Sequence, residues 1–232
     1  MSELFSIQLQ NRQQQGRDGV WLDLPTTTEQ VQAALRQIGI SSDNPQGLFI
    51  SGYFAEEEKR FAIPYNMVLA SNVDELNFLA SRLETLSTGE RAELNAALQA
   101  PQSELSSIGR ITDFPENVDY YVHLPDVHGP AQLGDYYLNR SGMVDMPEEW
   151  KGGIDTAQFG RYVAQQEQGA FTQYGYLVKS GDEWQKVHEG QPVPEEYRVL
   201  SFPAPEILRD AANIPSPVQP ETEPQKVIPI MN

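Results

Sequence analysis

LGDYYLNRSGMVDMPEEWKGGIDTAQFGRYVAQQEQGAFTQYGYLV, residues 133–178, gathers several helix boundaries, a dense aromatic set and a strand signal into one stretch. Leu133 and Tyr137 fall at helical spacing, and Gly142 is placed to stop that helix. Asp155 caps a second helix whose Phe159, Tyr162, Val163 and Gln166 share one face. Gly169 ends it, and Phe171 to Val178 reads as a strand. Helix and strand signals mixed within one short stretch predict an α+β unit.

Upstream, Val118, Tyr120, Val122 and Leu124 alternate as a strand that leads through the turn PDVHGP into a helix opened by Pro130. Before that strand the period changes. Leu76, Leu79, Leu83 and Leu86 form a stripe behind Asn72 and Glu75. A capping box of Ser87 with Glu90 opens a helix bearing Leu94, Ala97 and Leu98, which Pro101 breaks; a short third helix carries Leu105 and Ile108. The leucine stripe is core, so any function of this module lies on its opposite face.

At the N-terminal end Phe5, Ile7 and Leu9 alternate, as do Val20, Leu22 and Leu24, around a Gln-rich turn. Thr26 with Glu29 forms a capping box for a helix of Val31, Ala34, Leu35 and Ile38, stopped by Gly39, and Leu48 to Phe54 is a third strand. Beyond residue 178, Trp184–His188 and Tyr197–Phe202 are β-like runs placed to add a hairpin. After Phe202 come prolines 203, 205, 215, 217, 220, 224 and 229 with little periodicity, which argues for a flexible tail. The expected division is an N-terminal α+β domain (1–70), a central helical bundle (71–115), a C-terminal α+β domain (116–202) and the Pro-rich tail (203–232).

An apolar content of 39% over 232 residues suits several small cores better than one large one. With 33 acidic against 16 basic residues the net charge is -17, which makes nucleic acid an implausible ligand and a basic partner a plausible one, although solubility alone also favours acidic chains. The absence of cysteine excludes disulfides, zinc-thiolate sites and a thiol nucleophile. No secretory pattern opens the chain and no apolar run nears the roughly 18 residues of a membrane helix, so a cytoplasmic protein is expected.

Signatures of catalysis are missing. No dinucleotide or phosphate-binding glycine motif, metalloprotease pattern or nucleophile elbow occurs. His123, His128 and His188 lack a paired metal spacing, and the turn DVHG reads as solvated. The acid pairs Glu56/Glu57, Glu148/Glu149 and Glu195/Glu196 resemble glycoside chemistry only in composition, since adjacent glutamates point apart into water. A chain without enzymatic activity, metal or cofactor is expected.

The charge has a distribution. Residues 71–130 carry 10 acids against 3 bases and no lysine, the densest excess in the chain. Asp74, Glu75, Glu84, Glu90, Glu93 and Glu104 fall largely off the leucine stripe, with Asp113, Glu116, Asp119 and Asp126 following. Glu56, Glu57 and Glu58 precede the module; Asp135, Asp145, Glu148, Glu149 and Asp155 come after it. These residues are the candidate partner-binding surface.

The order LGDYY, RSG, a GID opening a helix with FGR, and GAFTQYGYL resembles the C-terminal part of the ArdA family of antirestriction proteins. GVWLDLP near the N-terminus and NVDELNFLASRLETLSTGERAELNAAL in the helical module are similar to the corresponding regions, so the resemblance covers residues 4–178. Two departures stand out. ISGYFAEEE displaces the acids that follow the third strand in the family, and Tyr162 follows Arg161 where an aspartate is common.

The resemblance implies an elongated chain of three small domains from a plasmid or other mobile element, acting in a bacterial host as an acidic DNA mimic. It implies a homodimer joined through the C-terminal domain, for which Tyr136 and Tyr137 are candidate contacts, in the DNA groove of a type I restriction-modification enzyme, its methyltransferase and specificity complex. Two chains would carry 34 net negative charges, the charge of about 17 base pairs at two phosphates each. The alternative is an acidic adaptor that binds a basic partner in a mobile-element complex through the helical module or the tail.

Overall fold

A computed structural model describes residues 4–14, 18–41, 46–56, 61–101 and 103–200. The tail from 203 to 232, Phe202, and the acids Glu57 and Glu58 lie outside the described residues.

Strands β1 (Phe5–Asn11), β2 (Val20–Leu24) and β3 (Leu48–Phe54) form an antiparallel sheet in the order β2-β1-β3. Period-two alternation sends Phe5, Ile7, Leu9, Leu22 and Leu24 inward, where all five are buried. Helix α1 (Thr28–Gln37) buries Val31, Ala34 and Leu35 and packs against β2. Its cap corrects the expected one by a residue. Thr27, not Thr26, is the N-cap, and Gln30 rather than Glu29 completes the box.

Helices α2 (Tyr65–Leu69), α3 (Val73–Leu83), α4 (Thr88–Gln99) and α5 (Ile108–Thr112) follow. The expected box at Ser87/Glu90 forms, and Asn72 with Glu75 makes a further one, each satisfying end groups that the helix cannot pair internally. Leu76, Leu79, Leu83 and Leu86 are buried as a stripe. Leu105 precedes α5 rather than belonging to it, because Ser107 supplies the cap.

Two short 3-10 turns follow, Phe114–Glu116 and Val118–Tyr120; the second replaces the start of the expected strand, leaving β4 as Tyr121–Leu124. Helix α6 (Pro130–Asp135) runs into a π-helical turn, Tyr136–Arg140, before Gly142 turns the chain at φ +70°. Helix α7 (Glu148–Lys151) precedes α8 (Thr156–Glu167), capped by Asp155, whose carboxylate accepts from the amides of Ala157 and Gln158.

The single expected strand over 171–178 is a hairpin, β5 (Ala170–Thr172) and β6 (Gly175–Lys179), with Gly175 at φ +120°. β6 is central in the order β4-β6-β5. Its Tyr176 is wholly buried with Val127 and Leu133, and Tyr136, Tyr137, Val163 and Phe171 pack around them.

The face of α8 matches expectation only in part: Val163 packs against the core and Phe159 is half-buried, but Tyr162 and Gln166 are exposed while Gly160 is buried. Backbone proximity is the cause. A Cβ on Gly160 would lie 1.8 Å from the Pro130 carbonyl oxygen, and one on Gly134 would lie 1.9 Å from that of Thr156. Helices α6 and α8 therefore touch main chain to main chain, and this contact fixes the rotation of α8. Its left-handed end residue is Gln168, at φ 55°, not Gly169, which instead makes room for the Tyr176 ring.

No strand forms at 184–188 or 197–200. Apart from a 3-10 turn at Glu195–Tyr197, residues 181–200 are irregular and are tied down by side chains from distant helices. Asn77 of α3 accepts from the Thr26 amide at 2.7 Å and donates to the Tyr197 carbonyl at 2.9 Å. Helix α3 thus packs against β2 and that turn, while α4 packs against β4 and β6.

Candidate functional site

The carboxylates predicted as one acidic surface divide by what each is bonded to. Asp113 is fully buried and so lies on no surface. Its two oxygens accept from the backbone amides of His188 at 2.6 Å and Glu189 at 3.2 Å. Asp74 is half-buried and accepts from the amides of Val199 and Leu200, both at 2.8 Å. These two acids hold the irregular 181–200 segment in place.

A second group is neutralised by cations. Glu104 meets Arg110 at 2.5 Å and Lys179 at 2.8 Å, and Arg110 also reaches Glu189 at 2.8 Å. Lys179, followed by the Arg110 contact, holds the Glu104 carboxyl below its usual range. Glu116 pairs with Arg82, Asp135 with Arg140 and Glu148 with Lys151. Glu75, Glu90 and Asp155 serve helix caps, and the hydrogen bond from Ser87 keeps Glu90 readily ionised. Glu84 is half-buried.

Glu93 behaves oppositely. Burial pushes its carboxyl up to about 8, and the neighbouring charges of Glu90 and Asp119 add to the effect. At neutral pH it is mostly protonated and contributes little negative charge.

What remains outward is a smaller set. Glu56, Asp119, Asp126, Asp145 and Glu149 are exposed, and the last four make no ion pair among the described residues. Tyr136 and Tyr137, expected at a dimer contact, are half-buried against their own core in an edge-to-face pair, with Tyr137 donating to Glu167 at 2.5 Å. Tyr176 donates to the other oxygen of Glu167 at 3.0 Å. One carboxylate on α8 therefore gathers two phenols and fastens the helix to the sheet.

No group of three or more acidic or histidine side chains suited to a metal ion occurs among the described residues. No helix among them is long and apolar enough to cross a membrane. A family model described as antirestriction protein (ArdA) matches residues 15–178. The chain belongs to the ArdA antirestriction family. A comparison with curated proteins gives no match. The stretch matched in the ArdA family spans β2 to β6 and nearly all the carboxylates discussed above, and ends just before the segment that Asp74 and Asp113 anchor.

Sequence reasoning missed a set of solvent-facing large apolar side chains, most of them aromatic. Trp21, Phe54, Tyr65, Met143, Trp150 and Tyr162 are all at least half exposed. For Trp21 the signal was legible, because strict alternation with the inward Val20, Leu22 and Leu24 leaves Trp21 and Asp23 facing solvent.

Proposed function

We propose that this ArdA-family chain blocks type I restriction-modification enzymes by occupying their DNA-binding groove as an acidic mimic of duplex DNA, without catalysis of its own. The observation that carries the reading is the set of exposed carboxylates Asp119, Asp126, Asp145 and Glu149, without an ion pair among the described residues, on a chain of net charge -17. Proteins that bind DNA draw much of their affinity from basic side chains placed against phosphates. Exposed carboxylates offer those side chains an alternative partner. The chain acts in the cytoplasm of a bacterial host carrying a mobile element, as a homodimer joined through its C-terminal domain, and the division at 1–70, 71–115 and 116–202 belongs to the same reading.

A gel-shift competition tests it. Excess protein displaces a labelled target duplex from a purified type I methyltransferase at low salt and does so less well at higher salt, as electrostatic competition requires. DNA that stays bound at low salt sinks the reading. Sedimentation at micromolar concentration tests the dimer, and a monomer counts against it.

A further inference from the structure

The outer face of the N-terminal sheet carries an aromatic pair that the fold does not need. Register places Trp21 and Gly52 on either side of Gln8, and Asp23 and Phe54 on either side of Ser6, all on the face opposite the buried Phe5, Ile7 and Leu9. The Trp21 ring lies over Gly52, where a Cβ would come within 3.0 Å of the indole. Its centroid is 6.4 Å from that of Phe54 in an edge-to-face arrangement, yet Trp21 stays 50% and Phe54 56% exposed. Single exposed apolar residues are ordinary, but a tryptophan seated over a glycine, with a second ring at its edge, presents a flat π-surface to solvent.

Beside it stands a carboxylate. Asp23 accepts from the Ser6 hydroxyl through Oδ1 at 2.9 Å, and its Oδ2 has no partner among the described residues. The rows Ser6, Gln8, Trp21, Asp23, Gly52 and Phe54 contain no cation. Farther along the sheet Arg12 already lies over Phe49, 5.1 Å from its centroid, and a second copy aligned on this patch would set carboxylate against carboxylate. What fits is a planar cation that stacks on indole while donating to a carboxylate.

The geometry points to a guanidinium-binding site on this sheet, formed by Trp21, Phe54 and Asp23, which takes an arginine of the basic DNA-binding surface of the target enzyme. The identity of that surface rests on the function proposed above. Guanidinium is planar, weakly hydrated and able to donate sideways while stacked; the ammonium of lysine is a compact, strongly hydrated charge that uses the ring poorly. The site therefore adds a preference for arginine to a surface whose other carboxylates respond to charge alone.

The full chain and its Trp21→Ala, Trp21→Phe, Phe54→Ala and Asp23→Asn variants, each checked by circular dichroism, are titrated calorimetrically with an arginine decamer and a lysine decamer. Wild type binds the arginine peptide more tightly. Trp21→Ala and Phe54→Ala each weaken arginine-peptide binding by about two- to fivefold and leave the lysine peptide unchanged, whereas Trp21→Phe keeps most of the preference. Asp23→Asn weakens both. In Trp21→Ala and Phe54→Ala, equal losses for both peptides, or none for either, overturn the site, as does a change of sedimentation in Trp21→Ala, which would make the face a contact between copies. The DNA competition with the methyltransferase is run in parallel. Its failure would sink the inhibitory reading and leave the arginine preference standing, and lost preference with intact competition would do the reverse.

Discussion

Asp113→Ala tests whether the irregular 181–200 segment is held by the acids of the helical module. The carboxylate is wholly buried and accepts two backbone amides, from His188 at 2.6 Å and Glu189 at 3.2 Å, while the nearby Asn117 exchanges a pair of bonds with the main chain of Gln185. Hydrogen bonds to an ionised acceptor contribute about 1.5–3 kcal/mol each, so two put the loss at roughly 3–6 kcal/mol. Water can reach the half-buried amides once the side chain is gone, which favours the lower end, about 3 kcal/mol. With a urea slope near 2 kcal/mol per molar, the midpoint falls by about 1.5 M. Asp113→Asn keeps one acceptor but turns an amide NH2 toward a second donor, so its midpoint falls by about 1 M. The exposed Asp145→Asn, by contrast, stays within about 0.5 kcal/mol of wild type. Hydrogen exchange at residues 185–189 accelerates in both Asp113 variants. An Asp113→Ala protein whose midpoint and exchange rates match those of Asp145→Asn would refute the reasoning.

Glu93 makes stability depend on pH in an unusual direction. Its carboxyl titrates at about 8 when folded and near 4.3 when unfolded, so between those values the unfolded chain holds fewer protons and stability declines as pH rises, levelling off above pH 8. Glu93→Gln removes that decline, and thermal melts of the two proteins that diverge steadily from pH 5 to 8.5 are expected; parallel curves would show that Glu93 is solvated. Gly160→Ala reverses the usual sign of a helical glycine substitution. The contact at 1.8 Å with the Pro130 carbonyl forces α6 and α8 apart at a cost of about 1–3 kcal/mol or more, whereas Gly89→Ala in α4, which meets nothing within 4 Å, is neutral or gains up to about 1 kcal/mol. Melting temperatures that move the same way in both variants would remove the argument for main-chain contact between those helices.

Elements whose cause is local were legible in the sequence. Leu48–Phe54 forms as expected, and the boxes at Asn72/Glu75 and Ser87/Glu90 form because their chemistry spans only four residues. The misread elements have distant causes. Residues 181–200 have no ladder because their backbone groups go to Asp74, Asn77, Asp113 and Asn117, 68 to 126 residues away, and nothing nearby announces such partners. The rotation of α8 follows from Pro130, on another helix, and the face read from spacing had no access to it. The split of 171–178 into a hairpin was within reach, since a glycine between two short aromatic runs is a turn signal.

The same partition bears on the acidic surface. Charge counting marks residues 71–130 as the densest region, but that density is largely spent inside the protein: Asp74 and Asp113 on backbone amides, Glu104 and Glu116 on cations, Glu93 by protonation. A carboxylate already bonded to an internal donor has less to offer an external one. Of the carboxylates expected on that surface, those left to a partner are therefore fewer than the formal charge suggests and include Asp119 and Asp126 and, near α7, Asp145 and Glu149. A surface thinned in this way gains more from a contact that adds to charge than from one further carboxylate, and the exposed ring of Trp21 beside Asp23 supplies a contact of that kind.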